Sequence, residues 1–318
     1  MKSKIILLVL GLLMTSSIWA GNNVICPVFH EGDSVVYESK GSVNSQVAGQ
    51  TVKMKIWGLN SYVVARKYND GYLLRSTLLD MKMENENQGS VTDKIMELTG
   101  NPMSMLKGIP MEMLVDRFGK ATKIINIQSV KDKVYKMCND LMNRLEKQYP
   151  QVVSILSKDA LMKQMMNSLT EEMLLKSLNE QLNYPFFLTG KDLTVGNEVS
   201  FIVSGNVEGR AKITKYQPSS SGKSANVSLA ASSDLTQDEA LRQALENPKM
   251  KEMMKTLSDE EKKQAIELMK EHLKMHVNVS STYDFFEDGY LSNNKYNVGI
   301  KSKTMDMVIE GTLTCIHH

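Results

Sequence analysis

Histidine and cysteine are scarce in this sequence and phosphate-cradling glycine motifs are missing, and each shortage removes a class of chemistry. Only five histidines occur in 318 residues: His30, His272, His276, His317 and His318. A Ser-His-Asp triad therefore has few candidates, and none stands in a recognisable motif. There is no Gly-x-Ser-x-Gly elbow, no Gly-rich phosphate loop and no His-Glu-x-x-His helix, so the common hydrolase, nucleotide and zinc-protease signatures are all absent. Acidic pairs such as Glu171/Glu172 and Asp259/Glu260 fall in expected first helical turns, where carboxylates stabilise the helix dipole. The expectation is a non-enzymatic protein with no cofactor, an unrecognised hydrolase being the minor alternative.

An excess of one charge is missing as well. The chain has 38 basic and 36 acidic residues, and setting aside Lys2 and Lys4 with an N-terminal leader leaves the two counts equal at 36. Without a sustained basic run it has neither the electrostatic footprint of a nucleic-acid binder nor a polybasic patch for anionic lipid. No apolar run after the first twenty residues approaches the roughly 20 residues of a membrane-spanning helix. No nucleic-acid partner and no transmembrane segment are expected in the mature chain.

What is present begins with residues 1–20. Lys2 and Lys4 precede an apolar run from Ile5 to Met14, and small residues from Thr15 lead to Ala20 before Gly21. This is the anatomy of a cleaved signal peptide, with the cut between Ala20 and Gly21. It places the expected mature protein in the periplasm or cell envelope. Three cysteines remain there: Cys26, Cys138 and Cys315. An odd count in an oxidising compartment predicts one pair and one leftover thiol, and Cys26–Cys315, near opposite ends of the mature chain, is the expected pair. The alternative is three small buried apolar residues.

Strand and helix patterns alternate along the mature chain. Residues 33–83 read as strands, and Met111–Val115 with Lys123–Ile127 as a hairpin. Leucines, isoleucines and methionines at helical spacing mark 129–182, with Pro185 as its stop. A second strand block covers 193–232 and a second helical block 236–273, where Ser258 and Glu261 make a capping box. In the last block Met275, Val277, Val279, Tyr283 and Phe285 alternate with polar residues, as do Met305, Met307, Ile309, Leu313 and Cys315. One-sided alternation belongs to antiparallel sheets covered on one face. The predicted class is α+β, with curved antiparallel sheets of sandwich or half-barrel type and two helical insertions. Two lobes are expected, a β-rich 21–182 with one insertion and an antiparallel 183–318 with the other.

Two residue types in this frame raise ligand questions. His272 and His276 have the i, i+4 spacing of a zinc pair, with Glu267 or Glu271 as a third ligand. The helix is predicted to stop near Leu273, which separates the rings, so no metal site is assigned. Methionine is abundant at 23 residues, with Met-x-Met at 81/83, 103/105, 111/113 and 305/307. Thioethers suit copper(I), but alternate positions in a strand all point inward, which favours packing or a pliable apolar cavity. Met81, Met83, Met305 and Met307 are the candidate lining of such a cavity, for a lipid or another apolar ligand.

The stretch Gly32-Asp33-Ser34-Val35-Val36-Tyr37 after Cys26-Pro27 resembles the first strand of exported proteins of the TapB-like group from Bacteroidetes-type bacteria. The Asp116–Ile127 hairpin, Pro185-Phe186-Phe187, Leu193-Thr194-Val195-Gly196-Asn197 and the final strands to Cys315 are similar to the same group. The resemblance implies a β-rich exported protein of curved sheets without known catalytic residues. The combined expectation is an apolar-ligand or envelope-partner binding protein, against a structural or assembly protein with a solid core and an interaction surface.

Overall fold

In the computed structural model, all the long strands join one sheet. The structure describes residues 23–47, 50–85, 107–148, 170–204, 207–218, 225–236, 257–303 and 305–318, with isolated positions between 162 and 167 and between 241 and 254. The expected leader and its Ala20/Gly21 cut, together with Met103 and Met105, lie outside them.

Alternation of apolar and polar residues dictates the strands. In β9 (Lys274–Phe285), Met275, Val277, Ser281, Tyr283 and Phe285 are buried and Val279 half-buried on one face, while the alternate residues from Lys274 to Asp284 are more exposed. The same period organises β4 (Met111–Asp116), where Met111, Met113 and Val115 are buried. The remaining strands are β1 (Ser34–Val47), β2 (Gln50–Tyr68), β3 (Gly71–Asn85), β5 (Ala121–Ile124), β6 (Glu198–Ser204), β7 (Val207–Pro218), β8 (Ala225–Thr236), β10 (Leu291–Lys301) and β11 (Met305–His317). They pair antiparallel throughout, in the order β5-β4-β3-β2-β1-β11-β10-β9-β8-β7-β6. The result is a single open, curled sheet, of the half-barrel rather than the sandwich type.

Two meanders, β1–β5 and β6–β11, thus meet where the first strand pairs with the last, from Val36 opposite His317 to Val47 opposite Met305. The expected lobes 21–182 and 183–318 are the two halves of this continuous sheet, and their boundary falls inside a helix. That helix is α2 (Glu171–Phe186), which follows α1 (Ile127–Gln148) in the connection between the meanders, while α3 (Asp259–Leu273) leads into β9. Pro185 sits in the last turn of α2, one residue before its end, and Ser258 with Glu261 forms the reciprocal capping box of α3.

The concave side holds the main core. Val130, Val134, Cys138 and Met142 form the buried stripe of α1, and Leu178, Leu182 and Phe186 that of α2. An aromatic cluster joins the helices to the sheet: Phe29 lies 4.6 Å from Tyr72, 5.7 Å from Phe186 and 5.3 Å from Tyr290, and Tyr62 lies 6.2 Å from Phe186. Gly289, at φ 85°, makes the β9–β10 turn, where a Cβ would come within 2.7 Å of the Cys26 carbonyl oxygen. A smaller apolar cluster, Met275, Val277 and Ile300, forms further along the same face.

α2 also shields one sheet edge. Asn179 acts as a substitute strand for β5, its Oδ1 accepting from the Ala121 amide at 2.8 Å and its Nδ2 donating to the Ala121 carbonyl at 3.0 Å. At the centre, Tyr37 is fully buried and its hydroxyl donates to the Leu291 carbonyl at 3.0 Å, tying β1 to β10 across β11. Tyr37→Phe removes that donor and leaves a buried carbonyl unpaired, a loss of about 1–3 kcal/mol. Urea unfolding of the variant should show it as a lower midpoint with an unchanged slope. An unchanged midpoint would mean the bond carries no net stability.

Candidate functional site

Small residues in the middle of long strands create a cavity of about 380 Å³ on the concave face. By register, Ser39 of β1 lies between Gly58 of β2 and Leu313 of β11, and Gly41 lies between Ile56 and Gly311. Gly58 in turn faces Met81 of β3. Ser39, Gly41, Gly58 and Ser76 all line the space, with Gly311 in the neighbouring pair. Glycine weakens a strand interior and often marks a point of close approach. Here one approach is internal: Tyr296 of β10 covers its cross-strand partner Gly311, where a Cβ would stand 2.5 Å from the ring's Cζ.

The walls are apolar. Val43, Ile56, Leu78, Met81, Met111, Ile309 and Leu313 come from five strands, and Pro185 of α2 approaches from above. Tyr37 and Tyr62 complete the end nearest the aromatic cluster, 6.0 Å apart at ring centroids. Lys40 reaches the lining only through its backbone, since its side chain points to the other face by register. Polar groups are few. The Ser39 hydroxyl donates to the Gly58 carbonyl at 3.3 Å, whereas the buried Ser76 hydroxyl and the Asn60 amide have no side-chain hydrogen bond among the described residues. A neutral, apolar space with two or three polar groups is the usual form of a small-molecule site.

The expected methionines divide between two places. Met81 lines the cavity, and Met83 lies on the same face opposite Ile56. Met305 and Met307 pack against Met275, Val277 and Ile300 in the smaller cluster. The cavity residues not singled out from the sequence are Tyr37, Ser39, Gly41, Gly58, Tyr62 and Tyr296. Their signal was available in the glycines Gly41, Gly58 and Gly311 that interrupt otherwise strand-like runs.

The cysteine pairing is corrected. No two cysteines lie at bonding distance: Cys26 is an exposed free thiol, Cys138 a buried one and Cys315 a half-buried one. Cys138 fills the apolar stripe of α1. Cys315 is held in β11 opposite Tyr37, its Sγ donating to the His317 carbonyl at 3.1 Å, while Cys26 lies in the segment ahead of β1. The β11 ladder fixes the backbone of Cys315, whereas Cys26 is held outside the ladder, its carbonyl against the Gly289 turn.

His272 lies in the last turn of α3 and His276 in β9, so the two do not share a helical face. Glu267 is paired with Lys270 at 3.2 Å. His276 instead takes part in a line of contacts, its Nδ1 2.9 Å from Asp234 Oδ1 and its Nε2 3.4 Å from Ser232 Oγ. These three have the order of a catalytic triad, but all are exposed and none lines the cavity. A triad works with a buried acid and a water-excluded oxyanion site. The His318 ring is docked, stacked on Phe286 at 4.6 Å with Nε2 2.8 Å from Asp288 Oδ2.

No family model matches this chain, and no curated protein matches it. Among solved structures, lipovitellin, in a structure concerned with its lipid–protein interactions, is similar over 91% of this chain at 8% identity and a TM-score of 0.44, and the chain spans 26% of that protein. DynF, from the dynemicin biosynthesis pathway of Micromonospora chersina, aligns over 93% of this chain and 86% of its own length at 8% identity, with a TM-score of 0.20. Scores this low carry no argument about function.

Burial keeps the cavity uncharged by holding the Tyr37 and Tyr62 phenols well above the usual tyrosine range. The neutral forms are favoured in the fold, so the stability they confer is present below the unfolded value of about 10 and is lost as pH rises beyond it. An alkaline titration followed by ultraviolet absorbance and circular dichroism tests this. Phenolate absorbance from the buried pair should rise only with loss of the circular dichroism of the sheet. Complete ionisation before any loss of structure would contradict this burial.

Proposed function

We propose that this protein is an exported, non-enzymatic binding protein of the periplasm or cell envelope that holds a small apolar ligand in the concave cavity. One observation carries the reading: the central strands give up side-chain volume at Ser39, Gly41 and Gly58, and the space left is walled by Leu78, Met81, Met111, Ile309 and Leu313. A core built for stability alone fills such positions, because unfilled apolar volume costs about 24 cal/mol per Å³. Keeping about 380 Å³ open falls within the range of ligand pockets. Unbranched Met81 and Met111 can adjust to ligands of different shape.

The ligand class that fits is a compact, uncharged, mainly hydrocarbon molecule with one or two hydrogen-bonding groups. The apolar walls take its body, and Ser76 and Asn60 offer partners for its polar atoms. A strongly ionised group has no counter-charge inside. Export rests on the signal-peptide pattern of residues 1–20, and the TapB-like resemblance is in keeping with it.

Met81 lines the cavity and Met307 packs in the smaller cluster, so substitutions at the two positions distinguish the cavity from the rest of the inner face. With the neutral dye N-phenyl-1-naphthylamine as probe, Met81→Asp should weaken uptake at least tenfold, since it places a carboxylate in the apolar wall. Met307→Asp should lower thermal stability through the smaller cluster and leave the affinity of the folded protein within about twofold. Native mass spectrometry of the gently purified protein should show mass that is lost on denaturation. Dye binding unaffected by Met81→Asp, together with a bare native mass, would favour the solid-core assembly protein instead.

A further inference from the structure

The outer face of the same central strands carries a second groove, of about 730 Å³. Pleating sends every second residue of β3, β2, β1, β11 and β10 to this side, and the register aligns them in rows across the sheet. One row reads Lys82, Trp57, Lys40, Thr312, Lys295. The next adds Lys55 with the acids Glu84 and Glu310, and Glu38 at the rim pairs with Lys40, so the groove and its rim hold four lysines against three carboxylates.

The first row has a regular spacing. Lys82, Lys40 and Lys295 stand on alternate strands, which places their stems about 10 Å apart in a row roughly 19 Å long. Trp57 lies between the first two and is fixed in place. Its Nε1 donates to Glu38 Oε1 at 2.8 Å, the other Glu38 oxygen pairs with Lys40 Nζ at 2.6 Å, and Lys82 Nζ lies 5.2 Å from the indole ring. Glu310 is engaged by Asn297, whose Nδ2 donates to it at 2.6 Å. A flat aromatic beside evenly spaced cations suits a linear anion with flat apolar patches between its charges.

We propose that this groove binds an acidic polysaccharide bearing one anionic group for every two sugars. The distance between alternate strands is about the advance of two pyranose units in an extended chain, so successive carboxylates or sulfates meet Lys82, Lys40 and Lys295, the middle one sharing Lys40 with Glu38. The sugar between the first two anionic groups meets the Trp57 indole through its C–H face. A lipid bilayer fits less well, because the surface is a groove of mainly polar residues with one tryptophan rather than a projecting apolar patch. The site lies on the opposite side of the sheet from the apolar cavity and does not depend on that reading.

The test is fluorescence-anisotropy titration of the mature protein with a labelled hyaluronan octasaccharide, which has one carboxylate per disaccharide. Saturable binding that weakens steeply with salt is expected, with about tenfold loss in Trp57→Ala and in the double variant Lys82→Ala/Lys295→Ala. Trp57→Phe and Lys82→Arg/Lys295→Arg should keep most of the affinity, and thermal melts confirm that each variant is folded. The proposal is overturned by absence of saturable binding, by equal binding of a neutral chitin octasaccharide, or by retention of affinity in both alanine variants. Binding to phosphatidylglycerol vesicles but not to the octasaccharide would replace it with a membrane-facing role.

Discussion

Pairing of the first strand with the last is the constraint on which the rest of this molecule depends. Without the β1–β11 ladder the chain would be two separate meanders, each with one more open edge. That pairing joins residues about 270 positions apart in sequence, so chain entropy opposes it and local propensity does little to bring it about. Side chains at the junction supply specificity. Tyr37 reaches over β11 to the Leu291 carbonyl, and Tyr290 donates to Asp33 Oδ2 at 3.2 Å, so both meanders are bonded together on the buried side. The aromatic cluster around Phe29 then fixes α2 over the junction.

The cavity lies at this same junction. Glycine has its largest entropic cost in regular strands, and Gly41 and Gly311 form a directly paired site in the central ladder. Tyr296 partly compensates by lying over Gly311, an arrangement that protects the backbone with aromatic surface. Beyond Tyr296 the space is not refilled. Since the sheet has large residues at most other inward positions, such as Val277, Ile300 and Leu229, the small ones at the centre determine where a ligand can sit.

Strand periodicity made much of this fold legible. Alternation from Met275 to Phe285 and from Met305 to Cys315 identified β9 and β11 and gave their buried faces, because one face of the sheet is covered and the other wet. The Ser258/Glu261 box marked the start of α3 for an equally local reason. Strand order was not legible, since β1 meets β11 through contacts that no short window contains. The site was only partly legible for the same reason: Met81 was singled out, whereas Ser39, Gly58 and Asn60 form a cavity only once β1, β2 and β3 are aligned. The cysteine expectation failed because nearness of the chain ends says nothing about the distance and direction of two Cβ atoms. Cys315 is committed to the ladder opposite Tyr37, and Cys26 to the segment crossing Gly289.

The two faces of the central strands are linked by the pleat. Lys40 adjoins Gly41, Trp57 adjoins Gly58, Lys295 adjoins Tyr296, and Thr312 adjoins Gly311. Each small or aromatic residue inside therefore fixes the position of a polar or aromatic residue outside, half a pleat away. A one-residue slip of β1 against β2 would exchange the faces, burying Lys40 and exposing Gly41. Tyr37 on the inside and the Glu38 bond to Trp57 on the outside both oppose that slip. The register that opens the apolar cavity is thus the register that aligns the lysine row, and no shift of β1 can alter one surface while preserving the other.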